Sequence, residues 1–245
     1  MHTLELQALL RVWESGVHAS PVMRGLLLMG AALPQVDADA LMHSSIGHRD
    51  AWLLSLREVL FGARIECLLP CPACGQRIEL DFRVSDIRAP HAQPQHVCEV
   101  VADGAAMRFR VPTSADLLAI EGERDAQAAE RMLLQRLRAG TEDAPDAELP
   151  PAPQAGVADA VTHAVGEADR QAEVLLKLAC PACGQECEEI FDIAAHLWCE
   201  LDHWARRLLQ KVHALASHYG WSEDCILGMS TARRQEYLAL IGAAR

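Results

Sequence analysis

The hexapeptide Cys-Pro-Ala-Cys-Gly-Gln stands twice in the chain, at Cys71 to Gln76 and at Cys180 to Gln185. The copies lie 180 − 71 = 109 positions apart, and the same shift places Leu69 on Leu178, Glu79 on Glu188, Phe82 on Phe191 and Val84 on Ile193. The repeat is therefore a whole unit rather than a stray motif. "ARIECLL" and "QRIELDFRV" flank the first copy, "AEVLLKLA" and "ECEEIFDI" the second. Ile78, Leu80, Phe82 and Val84 alternate with polar residues, the period of a half-buried strand, so each copy predicts strand, tight knuckle, strand.

Two thiolates separated by two residues can grip one metal ion from a tight turn, and proline pre-sets the backbone of that turn. Gly75 and Gly184 follow the second cysteine of each copy, where a positive φ lets backbone N–H groups point at sulfur. One knuckle offers two ligands, and a structural zinc takes four. Two knuckles facing each other complete the set, so the pattern predicts one Zn2+ on Cys71, Cys74, Cys180 and Cys183. The long insertion between them is no obstacle, because loop-closure cost grows only with the logarithm of length.

Two other arrangements compete. A redox CxxC opens a helix, whereas glycine and a β-run follow both copies here. Each half also holds four cysteines of its own, which would permit two separate zinc sites: Cys67, Cys71, Cys74 and Cys98, then Cys180, Cys183, Cys187 and Cys199. The knuckles match in context while Cys98 and Cys199 do not, which favours the shared site. Four thiolates close the coordination sphere, so the metal is structural; a catalytic zinc keeps one position open. His196, Cys199 and His203 share one side of a predicted helix and could form a second metal face, but the polar flank of an amphipathic helix is the favoured reading, because such spacing of His on a helix is common. No GxSxG, Walker A, HExxH or GxGxxG pattern is present, and the chain reads as a non-enzyme.

Around the knuckles the expected fold is α+β and mainly helical. Apolar residues make up 51% of the 245 but aromatic ones only 4%, so the core rests on Leu, Ala, Val and Ile, which suits packed helices. The expected units are an N-terminal helical region at 1–62, a split zinc ribbon at 63–89 and 170–191, an inserted hairpin with helices at 90–140, a short helix at 156–169 and a C-terminal helical region at 192–245. The stretch "TEDAPDAELPPAPQA" at 141–155 is acidic and proline-rich with little to bury, and predicts a mobile linker. Helices are expected at Leu4 to Glu14, Pro21 to Ala32 and Asp50 to Phe61. A hairpin is expected at Val97 to Val101 and Met107 to Val111 around Asp103-Gly104, then one helix capped by Thr113 or Ser114. From Asp192, apolar positions 193, 197, 201, 204, 208, 212 and 215 mark one stripe of a long helix. Gly220 stops it, and Ser222 and Ser230 open two short helices.

Lys and Arg total 22 against 34 Asp and Glu, a net charge of −12, which is the wrong sign for a chain that grips phosphates. A zinc-ribbon adaptor for nucleic acid or transcription machinery is therefore the weaker alternative. The opening residues, Met-His-Thr-Leu-Glu, do not read as a signal peptide, and the apolar run Gly25 to Leu33 is too short to span a bilayer. These features predict a bacterial cytoplasmic protein without a membrane partner, in which a CxxC means metal or redox chemistry rather than structural disulfides.

The block "FDIAAHLWCELDHWARRLLQKVHALASHYGWSEDCILGMSTARRQEYLALI" after the second knuckle resembles baseplate and assembly proteins related to the T-even phage baseplate hub, found in gene clusters of extracellular contractile injection systems. "RDAWLLSLREVLFG" and "FRVPTSADLLAI" fit the same family. The resemblance spans roughly residues 48 to 242, and its most specific part is Phe191 to Leu240, above all His218 to Glu223 and Arg233 to Tyr237. It implies a non-enzymatic role in building a contractile tail, with baseplate, hub, spike or tube proteins as partners, either retained in the particle or assisting its assembly. The C-terminal region is the expected contact, because Ile226, Leu227, Met229, Tyr237, Leu238 and Ile241 are more apolar surface than two short helices can bury by themselves.

Overall fold

The computed structural model describes residues 6–90, 97–102, 105–139 and 155–243. The expected linker at 141–155, except its last residue, and the Asp103-Gly104 turn lie outside the described residues. Four helices come first: α1 (Leu6–Gly16), α2 (Pro21–Ala32), α3 (Ala38–Met42) and α4 (Ile46–Phe61). At the start of α2, α3 and α4 a side chain accepts an otherwise orphaned backbone N–H: Ser20 from Met23, Asp37 from Asp39, Ser45 from His48. The Ser45 cap moves the start of α4 ahead of the expected Asp50. Gly62, at φ 90°, ends the helix.

Strands β1 (Arg64–Pro70) and β2 (Arg77–Arg83) form the first antiparallel ribbon, with Cys67 opposite Leu80 and Pro70 opposite Arg77. Val84, expected to end a strand, instead opens the short helix α5 (Val84–Ile87). Then β3 (Val97–Ala102) pairs antiparallel with β4 (Ala105–Arg110). Two helices, α6 (Ser114–Ile120) and α7 (Ala126–Leu137), replace the single one expected next. The chain breaks near Gly122 and restarts where Asp125 accepts the Gln127 N–H. A short strand, β5 (Arg138–Ala139), then adds to β4 and gives the order β3-β4-β5. Helix α8 (Ala155–Ala168) packs on this sheet and closes a separate small core of Cys98, Val100, Phe109, Leu134, Leu137 and Val161. After a 3-10 turn at Arg170–Ala172 comes the second ribbon, β6 (Leu175–Ala179) and β7 (Glu186–Ile190), with Leu178 opposite Cys187.

The long helix α9 (Ile193–Tyr219) follows, 27 residues capped by Asp192 and ended by Gly220 in the left-handed region at φ 69°. Helices α10 (Glu223–Leu227) and α11 (Thr231–Ala243) fold back on it. The main core lies where α2, α4 and α9 meet, built from Leu28, Met29, Leu53, Leu54, Leu197 and Leu201. Each fully buried leucine contributes about 2 kcal/mol, so α9 is held by its apolar stripe more than by helix propensity. Val84 from the end of the first ribbon and Ile193 from the end of the second enter this same core, 193 − 84 = 109 positions apart. Both ribbons are thus rooted at equivalent positions. Among the described residues no helix is long and apolar enough to cross a membrane.

Candidate metal centre

The two knuckles have one conformation. Cys71 N–H donates to Gln76 O at 2.8 Å and Gly75 N–H to Cys71 O at 2.8 Å; in the second copy Cys180 donates to Gln185 O at 2.9 Å and Gly184 to Cys180 O at 2.8 Å. The turn needs φ of 72° at Gly75 and 73° at Gly184, values that a Cβ disfavours. Each turn therefore projects two sulfurs to one side.

The ribbons bring these sulfurs together. The Sγ atoms of Cys71, Cys74, Cys180 and Cys183 all lie within 4.8 Å of one another. Cys71 stands 3.8 Å from Cys183 and Cys74 stands 3.7 Å from Cys180. These contacts exchange under the 109-residue shift, so a local two-fold relates the knuckles. Metal–sulfur bonds of about 2.3 Å directed to the corners of a tetrahedron put sulfurs about 3.8 Å apart, so the group has the size of a four-thiolate zinc site. Cys71 and Cys180 are buried, Cys74 and Cys183 exposed.

Backbone N–H groups of Cys183 and Ala182 point at the Cys180 sulfur and hold its thiol down to about 6. Cys74 goes the other way. The N–H of Gln76 lowers it, but Cys183, burial, Cys180 and Cys71 together push it up to about 12. Four sulfurs at this spacing cannot all carry charge with only each other for company, and a divalent cation resolves that conflict. Ile78, Leu80 and Cys187 line the interior beside the thiols. Deeper, Phe82 and Phe191 meet edge to face with centroids 5.4 Å apart, a contact that again joins equivalent residues of the two copies.

The remaining cysteines do not build two separate sites. Cys67 is half-buried on β1, and burial pushes its thiol up. Cys187 occupies the place that Ile78 holds in the other copy, since 187 − 109 = 78. Cys98 belongs to the core under α8 and donates to Phe109 O at 3.4 Å. Cys199 is exposed on α9, 3.9 Å from His203 Nδ1. His196 faces Glu200 instead, Nε2 to Oε2 at 3.6 Å, so the possible second metal face on α9 does not assemble. Among the described residues no further group of three His, Cys, Asp or Glu converges closely enough to hold an ion.

Residues 31–139 match the family model described as T4 bacteriophage base plate protein. The likeness to T4-type baseplate proteins is shown over that span. It runs from the end of α2 to β5, taking in α4, the first ribbon and the inserted sheet. The second knuckle and the block Phe191 to Leu240, weighted most in the sequence, lie outside the matched residues. Comparison with curated proteins and with solved structures gave no match.

The baseplate-like span is closed by side chains from the other half. Arg57 on α4 holds Glu200 on α9 through two hydrogen bonds of 3.0 and 2.7 Å and also donates to Gly62 O at 2.6 Å. Asp169 accepts the Gly47 N–H at 2.8 Å, and Gln171 both accepts from Ala89 N–H at 2.7 Å and donates to Ile87 O at 3.2 Å. Within the span, fully buried Asp116 gathers Arg110, Arg136 and the N–H and hydroxyl of Thr113. Burial alone would raise its carboxyl, but Arg110 and Thr113 outweigh that and hold it well below the usual range. Sequence reasoning missed Asp116 and Asp169. The only local signal was Thr113 followed three residues later by an acid, a capping-box spelling.

Proposed function

We propose that this chain is a non-enzymatic structural or assembly component of the baseplate of a phage-tail-like contractile injection system, stapled by one Zn2+ on Cys71, Cys74, Cys180 and Cys183. The observation that carries the tail-building role is the match of residues 31–139 to the T4 baseplate family. The four convergent thiols support the staple. A bound zinc would neutralise the thiolates and cross-link two segments that are remote in the chain, joining 63–89 to 170–191 as one split ribbon. The partners would be baseplate, hub, spike or tube proteins, met in the bacterial cytoplasm before or during incorporation into a particle.

The expected contact surface changes. Ile226, Leu227 and Met229 are buried, and Tyr237, Leu238 and Ile241 pack partly against their neighbours around α9, which leaves Leu240 exposed at 59%. The C-terminal helices therefore have little apolar surface to spare, and we assign the partner contact to the span that carries the family likeness. Removal of this gene from its cluster, with complementation by wild-type protein, tests the role. Loss of assembled particles, restored by the wild type together with co-purification of tail components, is expected. Normal particles without the gene would contradict the assignment.

A further inference from the structure

The two copies of the repeat serve as controls for each other, and their outer faces differ. In the second ribbon exposure alternates along both strands, so Leu175 and Lys177 on β6 share the outer face with Glu188 and Ile190 on β7. Leu175 stands directly opposite Ile190 and Lys177 opposite Glu188, with Lys177 Nζ 3.2 Å from Glu188 Oε1. Leu175 is 47% exposed and Ile190 66%, two aliphatic side chains side by side in water. A shift of 109 carries their places to Glu66 and Asp81, which also stand opposite each other in the first ribbon. There Arg64 holds both acids, donating to Asp81 at 2.8 and 2.6 Å and lying 3.3 Å from Glu66. Charged residues thus satisfy the ribbon at these positions, and the apolar pair is not demanded by the fold. The lone exposed Leu68 of the first ribbon, opposite Glu79, is ordinary by comparison. The copies differ in charge as well: residues 64–83 carry three bases and three acids, net 0, whereas 173–192 carry one base and five acids, net −4.

We propose that the outer face of β6–β7 is a docking surface for a segment of a partner protein whose apolar residues are flanked by Lys or Arg. Leu175 and Ile190 form one contiguous apolar contact, and covering it removes aliphatic surface from water. Exposed Glu173 and Glu188 flank the pair along the strands, with Glu186 beyond, against Lys177 alone. Such a rim attracts a basic segment and repels an acidic one. A second copy of this chain is a poor occupant, because the same face would set −4 against −4 on molecules that each carry −12. The face lies outside residues 31–139, so it adds a contact to the one assigned to that span and does not depend on the baseplate assignment.

Photo-crosslinking of the full-length chain in its native cells tests it, with benzoylphenylalanine in place of Ile190 and, as the twin control, in place of Asp81. An adduct about tenfold stronger from 190 than from 81 is expected, and its cross-linked peptide should come from another protein and carry apolar residues beside Lys or Arg. Adding Glu173→Arg and Leu175→Glu, the residues that the first ribbon uses, should weaken the adduct from 190 about tenfold while the thermal unfolding curve stays in place. The comparison of 190 with 81 needs neither of these substitutions. No adduct at 190, equal yields from the two positions, or an adduct with a second copy of this chain or with an acidic segment would overturn the proposal. So would an adduct that the two substitutions leave unchanged.

Discussion

At the scale of single residues, the most specific joints are polar and span long stretches of chain. Gly47 is the sharpest case. A Cβ built there would sit 1.9 Å from Asp169 Oδ1 and 2.9 Å from the Ala172 backbone nitrogen. Gly47→Ala should therefore push away the capping carboxylate and cost about 2–3 kcal/mol, combining overpacking with a lost cap. The urea midpoint reports this directly, and an unchanged midpoint would remove Asp169 from the list of structural caps. A second residue-scale expectation concerns acid. Burial would raise Glu200, but the nearby His196 and the two hydrogen bonds from Arg57 outweigh it and hold the carboxyl down to about 2, against an ordinary 4.5. A lowered folded value means stability that is present above pH 4.5 and lost as pH falls toward 2. Between pH 5 and 3 the urea midpoint of Glu200→Gln should fall less steeply than that of wild type. Parallel curves would show that the Arg57–Glu200 pair does not couple folding to protons. None of these partners was legible in the sequence, because Gly47 and Asp169 are 122 positions apart and Arg57 and Glu200 are 143 apart.

At the scale of elements, legibility followed periodicity and punctuation. The stripe from Ile193 to Leu215 fixed the length and the buried face of α9, and Ser20, Ser222, Ser230 and Gly220 marked boundaries that the structure keeps. The ribbons were readable because alternation and repetition agree. Elements set by tertiary contacts were not readable. Ser45 pairs with Thr113 in an isolated bridge and caps α4 early; β5 is two residues long and exists because β4 offers it an edge. Helix α4 also buries Arg49, Asp50 and Arg57 among its leucines, which blurs any apolar stripe. The stop of α9 makes a prediction of its own. Gly220 is held at φ 69° with open space around its Cα, so Gly220→Ala meets no steric clash and pays only for left-handed backbone, about 1 kcal/mol. Thermal unfolding should show that modest loss; a cost of several kcal/mol would mean that the helix end is constrained by more than its own backbone.

At the scale of the whole molecule, two copies of one unit meet across a local two-fold, share a core through Val84 and Ile193, touch through Phe82 and Phe191, and end in four thiols. The repeat made this architecture visible in advance. The same reading put the weight of the family likeness on the C-terminal block, whereas the matched span is 31–139, in the half that contains the first knuckle. Conspicuous aromatic and charged spelling near Trp221 and Arg233 belongs to a packed end of the helical region, where Tyr219 stacks on Trp221, Tyr237 meets both edge to face, and buried Arg234 ties off three backbone carbonyls. Such packing leaves a strong sequence pattern without a partner being required. The account rests on one proposal above the others, that both knuckles hold a single metal ion between them. Its most direct test is the metal content of purified full-length protein and of Cys183→Ser, measured by mass spectrometry of the elements. About one zinc per wild-type chain, falling close to zero in the variant, is the predicted result, because three thiolates with one exposed gap no longer close a structural site. Two zinc ions per wild-type chain, or full retention of zinc by Cys183→Ser, would contradict it.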